Sequence, residues 1–400
     1  MKFRLTPDSA SLTILGMNSG TSADGLDMAV LTITRRKSAY SWRLRASQSL
    51  RFPSALRTRI LDLALSDSTT LDELIAVDSA LGHFMGHEAK KLIASLRRKG
   101  VRVNAVASHG QTVRHMPIAE KLSGFLSHGS LQIGSLDAIS AATELPVVGN
   151  FRAADIALGY EGAPITVAPV HRLFALAKGS RLIVNIGGIS NYFYFPAGKG
   201  VEASHGGDFG PGNSLSDILS QKLLKQPFDT DGQHASKGVV SQRLITLLLS
   251  QPFFRGKTTS TGREEFGSRL ATRIMDFGKS HKLTSQDLLA TAVELTAIAV
   301  ARRLAPWVIR DSRCNSVLVT GGGRKNSYLV SRIREHCSPL SVEIIDDYGL
   351  DGDYVEAASY AVLGETFLRG MPSWTVGAGR SGKAWPVLGH LALPPEKRRR

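Results

Sequence analysis

The residues best suited to chemistry lie in glycine-rich clusters. The first, residues 16–27, sets glycines among Ser19, Thr21 and Ser22 and carries two carboxylates, Asp24 and Asp27. Successive amides in a glycine turn make a concave anion site, and the hydroxyls add donors. Asp24 would repel a phosphate alone, but beside Mg2+ it becomes a ligand. The tip is too long and too rich in hydroxyls for a two-residue turn, which favours phosphate binding over a merely solvated loop.

The second cluster, 206–213, surrounds one carboxylate, Asp208, with glycines and a proline, and a helix with Ser214 and Asp217 follows. A carboxylate on such a loop is either a general base or the cap of its own turn, and spacing alone leaves the two even. In the third, 319–326, Gly321, Gly322 and Gly323 read as a strand-to-helix turn that lets a flat ring such as adenine pack closely. A tight polar turn carries Asn185, Gly187 and Gly188. His109 and His115 bracket Gln111 and Arg114. No third ligand lies at metal spacing, so zinc is rejected and a sugar-contacting loop stays open. Neither G-x-x-x-x-G-K-[ST] nor a helix-opening G-x-G-x-x-G occurs.

These clusters need elements to hold them. Apolar runs at 12–15, 28–34 and 41–50 predict a β-meander around the first cluster. Helical spacing follows over 54–65 and 71–98. A short buried strand, 103–107, leads into a loop with His109 and Gln111. The pattern then recurs: strands at 181–184 and 190–195, then helices over 214–224, 240–249 and 287–303. Strand 316–320 runs into the third cluster, and a closing helix is predicted over 354–369. A duplicated meander-plus-helix unit, its hairpin tips facing across a central cleft, is the simplest architecture. It resembles the actin, sugar-kinase and heat-shock ATPase type of phosphate grip.

A chain of 400 residues exceeds one hydrophobic core, so two domains are expected: 1–135 with about 352–400, and 136–351. The net charge of +15 is scattered in short runs that are not interleaved with aromatics. Nucleic acid is therefore not expected as partner, whereas anionic ligands such as nucleotides are. Cys314 and Cys337 make neither a disulfide framework nor a zinc site, which suits a reducing, cytoplasmic compartment. No secretory leader and no membrane span is expected.

Taken together, the clusters resemble the anhydro-N-acetylmuramic acid kinases. Asn-Ser-Gly-Thr-Ser-Ala-Asp-Gly-Leu-Asp (18–27) is similar to their M-S-G-T-S-x-D-G-x-D segment, and residues 108–115 match S-H-G-Q-T-x-R-H. Matching blocks continue at 132–134, 150–157, 161–164, 185–191, 208–213, 231–232, 260–264, 321–323 and 351–356. The resemblance implies a two-domain α/β sugar kinase of duplicated actin-like (ribonuclease H-like) fold with a central ATP/sugar cleft. Such enzymes open a 1,6-anhydro sugar with water and phosphorylate its 6-oxygen from ATP with Mg2+. By resemblance Asp208 deprotonates the water. Ser19, Gly20, Thr21, Ser22, Ala23, Asp24, Gly25, Leu26 and Asp27 would bind ATP, with Asn185, Gly187, Gly188, Gly321, Gly322 and Gly323. His109, Gln111, Arg152, Asp155, Gly162 and Pro164 would meet the sugar, and Asp24 and Glu356 would hold Mg2+. A homodimer is implied by resemblance alone.

Three positions depart from the pattern: Asn18 stands for Met, Asn150 for Asp, and Glu161 for Gln. The last two leave the sugar's substituents open. Levoglucosan kinase, acting on 1,6-anhydroglucose, is an alternative of the same fold. A simple sugar kinase in which Asp208 deprotonates a hydroxyl is another. A non-catalytic nucleotide- or sugar-binding protein is the third, against which Asp24, Asp208 and Glu356 argue together.

Overall fold

The computed structural model describes residues 10–20, 23–36, 39–251, 254, 266–373, 375 and 385–396. Thr21, Ser22, the block 260–264 and the tail from Lys397 lie outside the described residues. The chain forms two compact units, one running to Leu173 and resuming at Tyr354, the other spanning Phe174–Asp353. No described helix is long and apolar enough to cross a membrane.

In the first unit β1 (Ser11–Ser19), β2 (Gly25–Arg36) and β3 (Ala39–Arg51) form an antiparallel meander. β4 (Ala105–Leu122) runs parallel to β1 and folds back as β5 (Phe125–Ile133). β6 (Val147–Gly149) adds parallel to β4. β1 is buried along nearly its whole length, hence its near-continuous apolar run. Helix Leu71–Arg98 starts where the Thr70 side chain accepts from Glu73 N, and it buries Val77, Leu81, Met85 and Ala89 in one core with Leu15, Met17 and Val106. The other face of β1 meets helix Val355–Leu368. A Cβ on Gly16 would lie 1.9 Å from the Ala357 carbonyl oxygen, so only glycine allows this approach.

The second unit repeats the plan. β7 (Arg181–Ile186), β8 (Ile189–Phe195) and β9 (His205–Pro211) form the meander, β10 (Ser316–Thr320) runs parallel to β7, and β11 (Ser341–Ile344) parallel to β10. Its sheet order β11-β10-β7-β8-β9 mirrors β6-β4-β1-β2-β3 of the first unit, to which β12 (His390–Ala392) adds beyond β6. Shared order and shared strand senses make this the duplicated actin-like α/β fold. Helix Ser285–Arg310 opens with a Thr284/Asp287 capping box and is buried continuously from Leu288 to Ala297.

Several expectations need correction. The expected domain boundary at 135 falls too early: β6 hydrogen-bonds beside β4 and β12, which keeps 136–173 in the first unit. β1 extends through Ser19, so residues 16–19 are strand rather than turn. His109 and Gln111 lie within β4, not on a loop after it, because Gln111 pairs with both Ser19 and Ile133. Asp208 is likewise on a strand, β9, opposite Asn191.

Candidate active site

In the first unit, β1 and β2 place Asn18 opposite Asp27. Ala23 N donates to Gly20 O at 3.0 Å, with Ala23 at φ 49°, which closes the turn. Asp24 points to solvent and accepts from Arg57 at 2.8 Å. Asp27 accepts from Ser49 Oγ at 2.5 Å. The Ser19 hydroxyl donates to Gln111 Oε1, tying an expected phosphate residue to an expected sugar residue through the β1–β4 register.

Glu356 enters from the first turn of its helix, and Asn18 Nδ2 donates to its Oε2 at 2.6 Å. The side chain keeps exposed surface although protein crowds it. That crowding raises its carboxyl above the ordinary range; the Asn18 bond pulls it back, the charge of Asp27 adds to the rise, and the Arg152 charge opposes it. Asp27 rather than Asp24 therefore shares Glu356's electrostatic neighbourhood. A divalent cation would relieve two such carboxylates, and Mg2+ needs only one or two beside phosphate and water, so this pair fits the ion. Among the described residues no group of three or more His, Cys, Asp or Glu could hold a metal unaided. Asn18 was not among the expected site residues. Its signal was a lone amide at the end of an otherwise apolar strand.

The sugar-side residues form one network. His109 is buried and stacks on Tyr360 with ring centres 4.6 Å apart. Burial and the Arg152 charge push its imidazole down to about 3, so it is neutral. Its Nδ1 lies 3.3 Å from Gly110 O and its Nε2 accepts from Arg152 Nε at 3.2 Å. Arg152 Nη1 donates to Gly162 O at 2.8 Å, and Gly162 N donates to Asp155 Oδ2 at 2.9 Å. The other Asp155 oxygen accepts from Thr375 at 2.7 Å, so this buried carboxylate staples the loop. Pro164 is exposed. Asn150 sits at φ 51° with its amide 3.1 Å from His390 Nδ1, and Glu161 is exposed, so neither departure from the family pattern joins this network.

In the second unit three glycine segments meet at the carboxyl ends of parallel β7 and β10, the usual ligand edge of such sheets. Asn213 N donates to Gly187 O at 2.8 Å, Gly212 N to Gly188 O at 3.1 Å, and Asn213 Nδ2 to Ile186 O at 3.3 Å. A Cβ on Gly321, at φ 78°, would lie 2.4 Å from Asn185 Oδ1. Arg324 holds this loop with all five of its N–H donors. It is bidentate on Asp346 (2.6 and 3.1 Å), reaches Asp351, and Nη1 binds Asp353 at 2.7 Å and Gly321 O at 3.1 Å. Asp208 is half-buried on β9, and its carbonyl accepts from Arg303, which lies over the Tyr192 ring at 5.0 Å. One turn along the helix from Asn213, burial pushes the Asp217 carboxyl up to about 6.

The family model for anhydro-N-acetylmuramic acid kinase matches residues 12–391. The kinase of that name from Salinibacter ruber is 32% identical over 383 residues, 96% of each chain. Its counterpart from Shewanella pealeana is 34% identical over 360 residues, covering 90% of this chain and 92% of that one. Among solved structures, the activator of 2-hydroxyisocaproyl-CoA dehydratase from Clostridium difficile with bound ADPNP aligns at TM-score 0.41 and 12% identity, over 88% of this chain and 93% of that one.

Proposed function

The chain belongs to the anhydro-N-acetylmuramic acid kinase family, a phosphotransferase family acting on a sugar, and from that premise we propose that it converts 1,6-anhydro-N-acetylmuramic acid and ATP to the open sugar 6-phosphate and ADP. The match over residues 12–391, with Asp208 and Glu356 inside it, is the observation that carries this reading.

Asp208 removes a proton from a water molecule as its oxygen attacks the anomeric carbon. The bond from that carbon to O6 breaks, and O6 takes the electron pair. O6 then forms its bond to the γ-phosphorus while the bond to the ADP oxygen breaks, and Asp208 later returns its proton to solvent. No separate acid is required, because the leaving oxygen of the first step is the nucleophile of the second. The glycine segments around Gly187, Gly188, Gly212 and Gly321 hold the nucleotide, and segment 20–24 with Ser19 grips its phosphates. Bound at Asp27 and Glu356, Mg2+ would neutralise charge on the transferring phosphoryl group. His109, Gln111, Arg152 and the Gly162 loop orient the sugar. We place the enzyme in the cytoplasm, where ATP is available.

The test is ADP release by purified protein with Mg2+ and, in turn, 1,6-anhydro-N-acetylmuramic acid, levoglucosan and their open forms, beside Asp208→Asn. Turnover of the anhydro-muramic sugar with one 6-phosphate per ADP, lost by about 10²- to 10⁴-fold in the variant, is expected. Turnover of open sugars only would replace this reading with a simple kinase. Preference for levoglucosan would move the substrate to 1,6-anhydroglucose.

A further inference from the structure

The far end of helix Val355–Leu368 carries a charge cluster that the proposed reaction does not use. Glu365 is fully buried there, and it accepts from Arg35 Nε and Nη2 at 2.7 Å each and from Arg369 Nε. Arg172, in the last turn of helix Val167–Phe174, donates from Nη1 to the Thr366 hydroxyl. That hydroxyl donates in turn to Val362 O at 2.7 Å, so it is fully engaged. Three guanidinium groups thus gather around one carboxylate, which leaves positive charge in excess. Burial and the Arg35 charge lower the pKa of Arg172, although Tyr40 and Glu365 oppose them. Tyr40, on β3, completes the cluster. The Arg35 guanidinium lies 5.0 Å from the centre of its ring. Among the described residues its hydroxyl is buried with no hydrogen-bonding partner. Burial, with the Glu365 charge, holds that hydroxyl above the ordinary tyrosine range against the pull of the three arginines, so it keeps its proton. Arg172 Nε and Nη2 also have no partner among the described residues, but they are not sealed from solvent.

A buried donor beside surplus cations is costly until an acceptor with negative charge completes both. A carboxylate would balance one charge and present its two oxygens in one plane. Phosphate carries nearly two charges and offers oxygens in divergent directions, which suits a hydroxyl and a guanidinium on different elements. We propose that Arg172 and Tyr40, backed by Arg35 and Arg369, bind phosphate, either as the free ion or as the head group of a phosphate monoester. The site is separate from the candidate active site: Glu365 follows Glu356 by nine residues on the same helix, about 14 Å along its axis. It does not depend on the sugar-kinase reading, because none of its four donors belongs to the machinery described above.

The experiment titrates inorganic phosphate, glycerol 3-phosphate and acetate calorimetrically into the full chain, with ADP and Mg2+ in excess to occupy the nucleotide site. Wild type, Arg172→Gln and Tyr40→Phe are compared. Phosphate should bind wild type, with Kd raised about 10- to 100-fold in Arg172→Gln and about 3- to 10-fold in Tyr40→Phe. Acetate should bind more weakly than phosphate by about tenfold or more. Glycerol 3-phosphate binding as tightly as phosphate supports the proposal and assigns the monoester; binding of inorganic phosphate alone supports it and assigns the free ion. No phosphate binding, or equal binding by all three proteins, overturns it. Should the variants fail to fold, the wild-type urea midpoint decides. Site binding makes that midpoint rise and level off with the logarithmic dependence of ligand linkage as phosphate is added, whereas a general salt effect grows in proportion to concentration and matches that of sulfate. A rise of the second kind overturns the proposal.

Discussion

Replacing Gly16 by alanine should disable the enzyme from the far side of its central strand. The new Cβ would sit 1.9 Å from the Ala357 carbonyl oxygen and 2.7 Å from Ala361 N, where ordinary contact begins at 3.4 Å. The helix must therefore retreat by about 1.5 Å, since backbone atoms cannot rotate aside as a side chain would. Such overpacking costs about 1–3 kcal/mol of stability. The functional cost is separate. Glu356 precedes Ala357, and its 2.6 Å bond from Asn18 would stretch to roughly 4 Å, beyond hydrogen-bonding reach. A misplacement of about 1 Å at a reacting site costs on the order of 10²-fold in rate. Urea unfolding and steady-state kinetics, the latter under conditions where the variant is folded, separate the two effects. Gly364→Ala is the control, because its Cβ would meet Ala107 Cβ at 2.6 Å two helical turns further on. It should lose comparable stability and much less activity. Wild-type kcat/KM in folded Gly16→Ala, or an equal catalytic loss in Gly364→Ala, would refute the reasoning.

Further outcomes are expected. Arg324→Lys keeps the charge but loses the five-donor fork, so KM for ATP should rise about tenfold with KM for the sugar unchanged; matching rises in both would remove Arg324 from the nucleotide loop. Glu356→Gln should raise the Mg2+ concentration giving half-maximal activity several-fold, and an unchanged Mg2+ titration would exclude Glu356 as a ligand. His109 binds its proton less readily when folded, at about 3 against 6.5, so between those values the unfolded chain holds more protons. The stability this gives is complete above pH 6.5 and disappears as pH falls toward 3. Urea midpoints across pH 4–7 should therefore slope less steeply in His109→Gln; identical slopes would mean that His109 is not kept neutral by folding.

Much of this was legible in the sequence because local patterns decide it. Helices 54–65 and 71–98 announce themselves by spacing, and strand 316–320 by an apolar run that ends at three glycines. The segments that misled are those where tertiary pairing overrides composition. Residues 206–208 read as loop because two glycines flank the carboxylate, yet pairing with β8 draws them into β9. Polar residues 108–111 read as loop for the same reason, and β1 with β5 recruits them as strand. The Asn18–Glu356 bond joins residues 338 positions apart and has no local signature. The carboxylate set around Arg324 is similarly non-local, although Asp351 and Asp353 were visible as a motif.

The divided first unit has a consequence for synthesis. Its helix Val355–Leu368, buried on almost every side against β1, β2 and β4, is synthesised only after the whole of the second unit. Until then β1 presents Ile14 and Gly16 with nothing over them, whereas the second unit, continuous from Phe174 to Asp353, already has its whole sheet. The later half of the chain should thus complete its fold before the earlier half does. Chains stopped after Asp353 would show it under brief proteolysis as a resistant second unit beside a digested first. Equal resistance of both would mean that the first sheet stands without its covering helix.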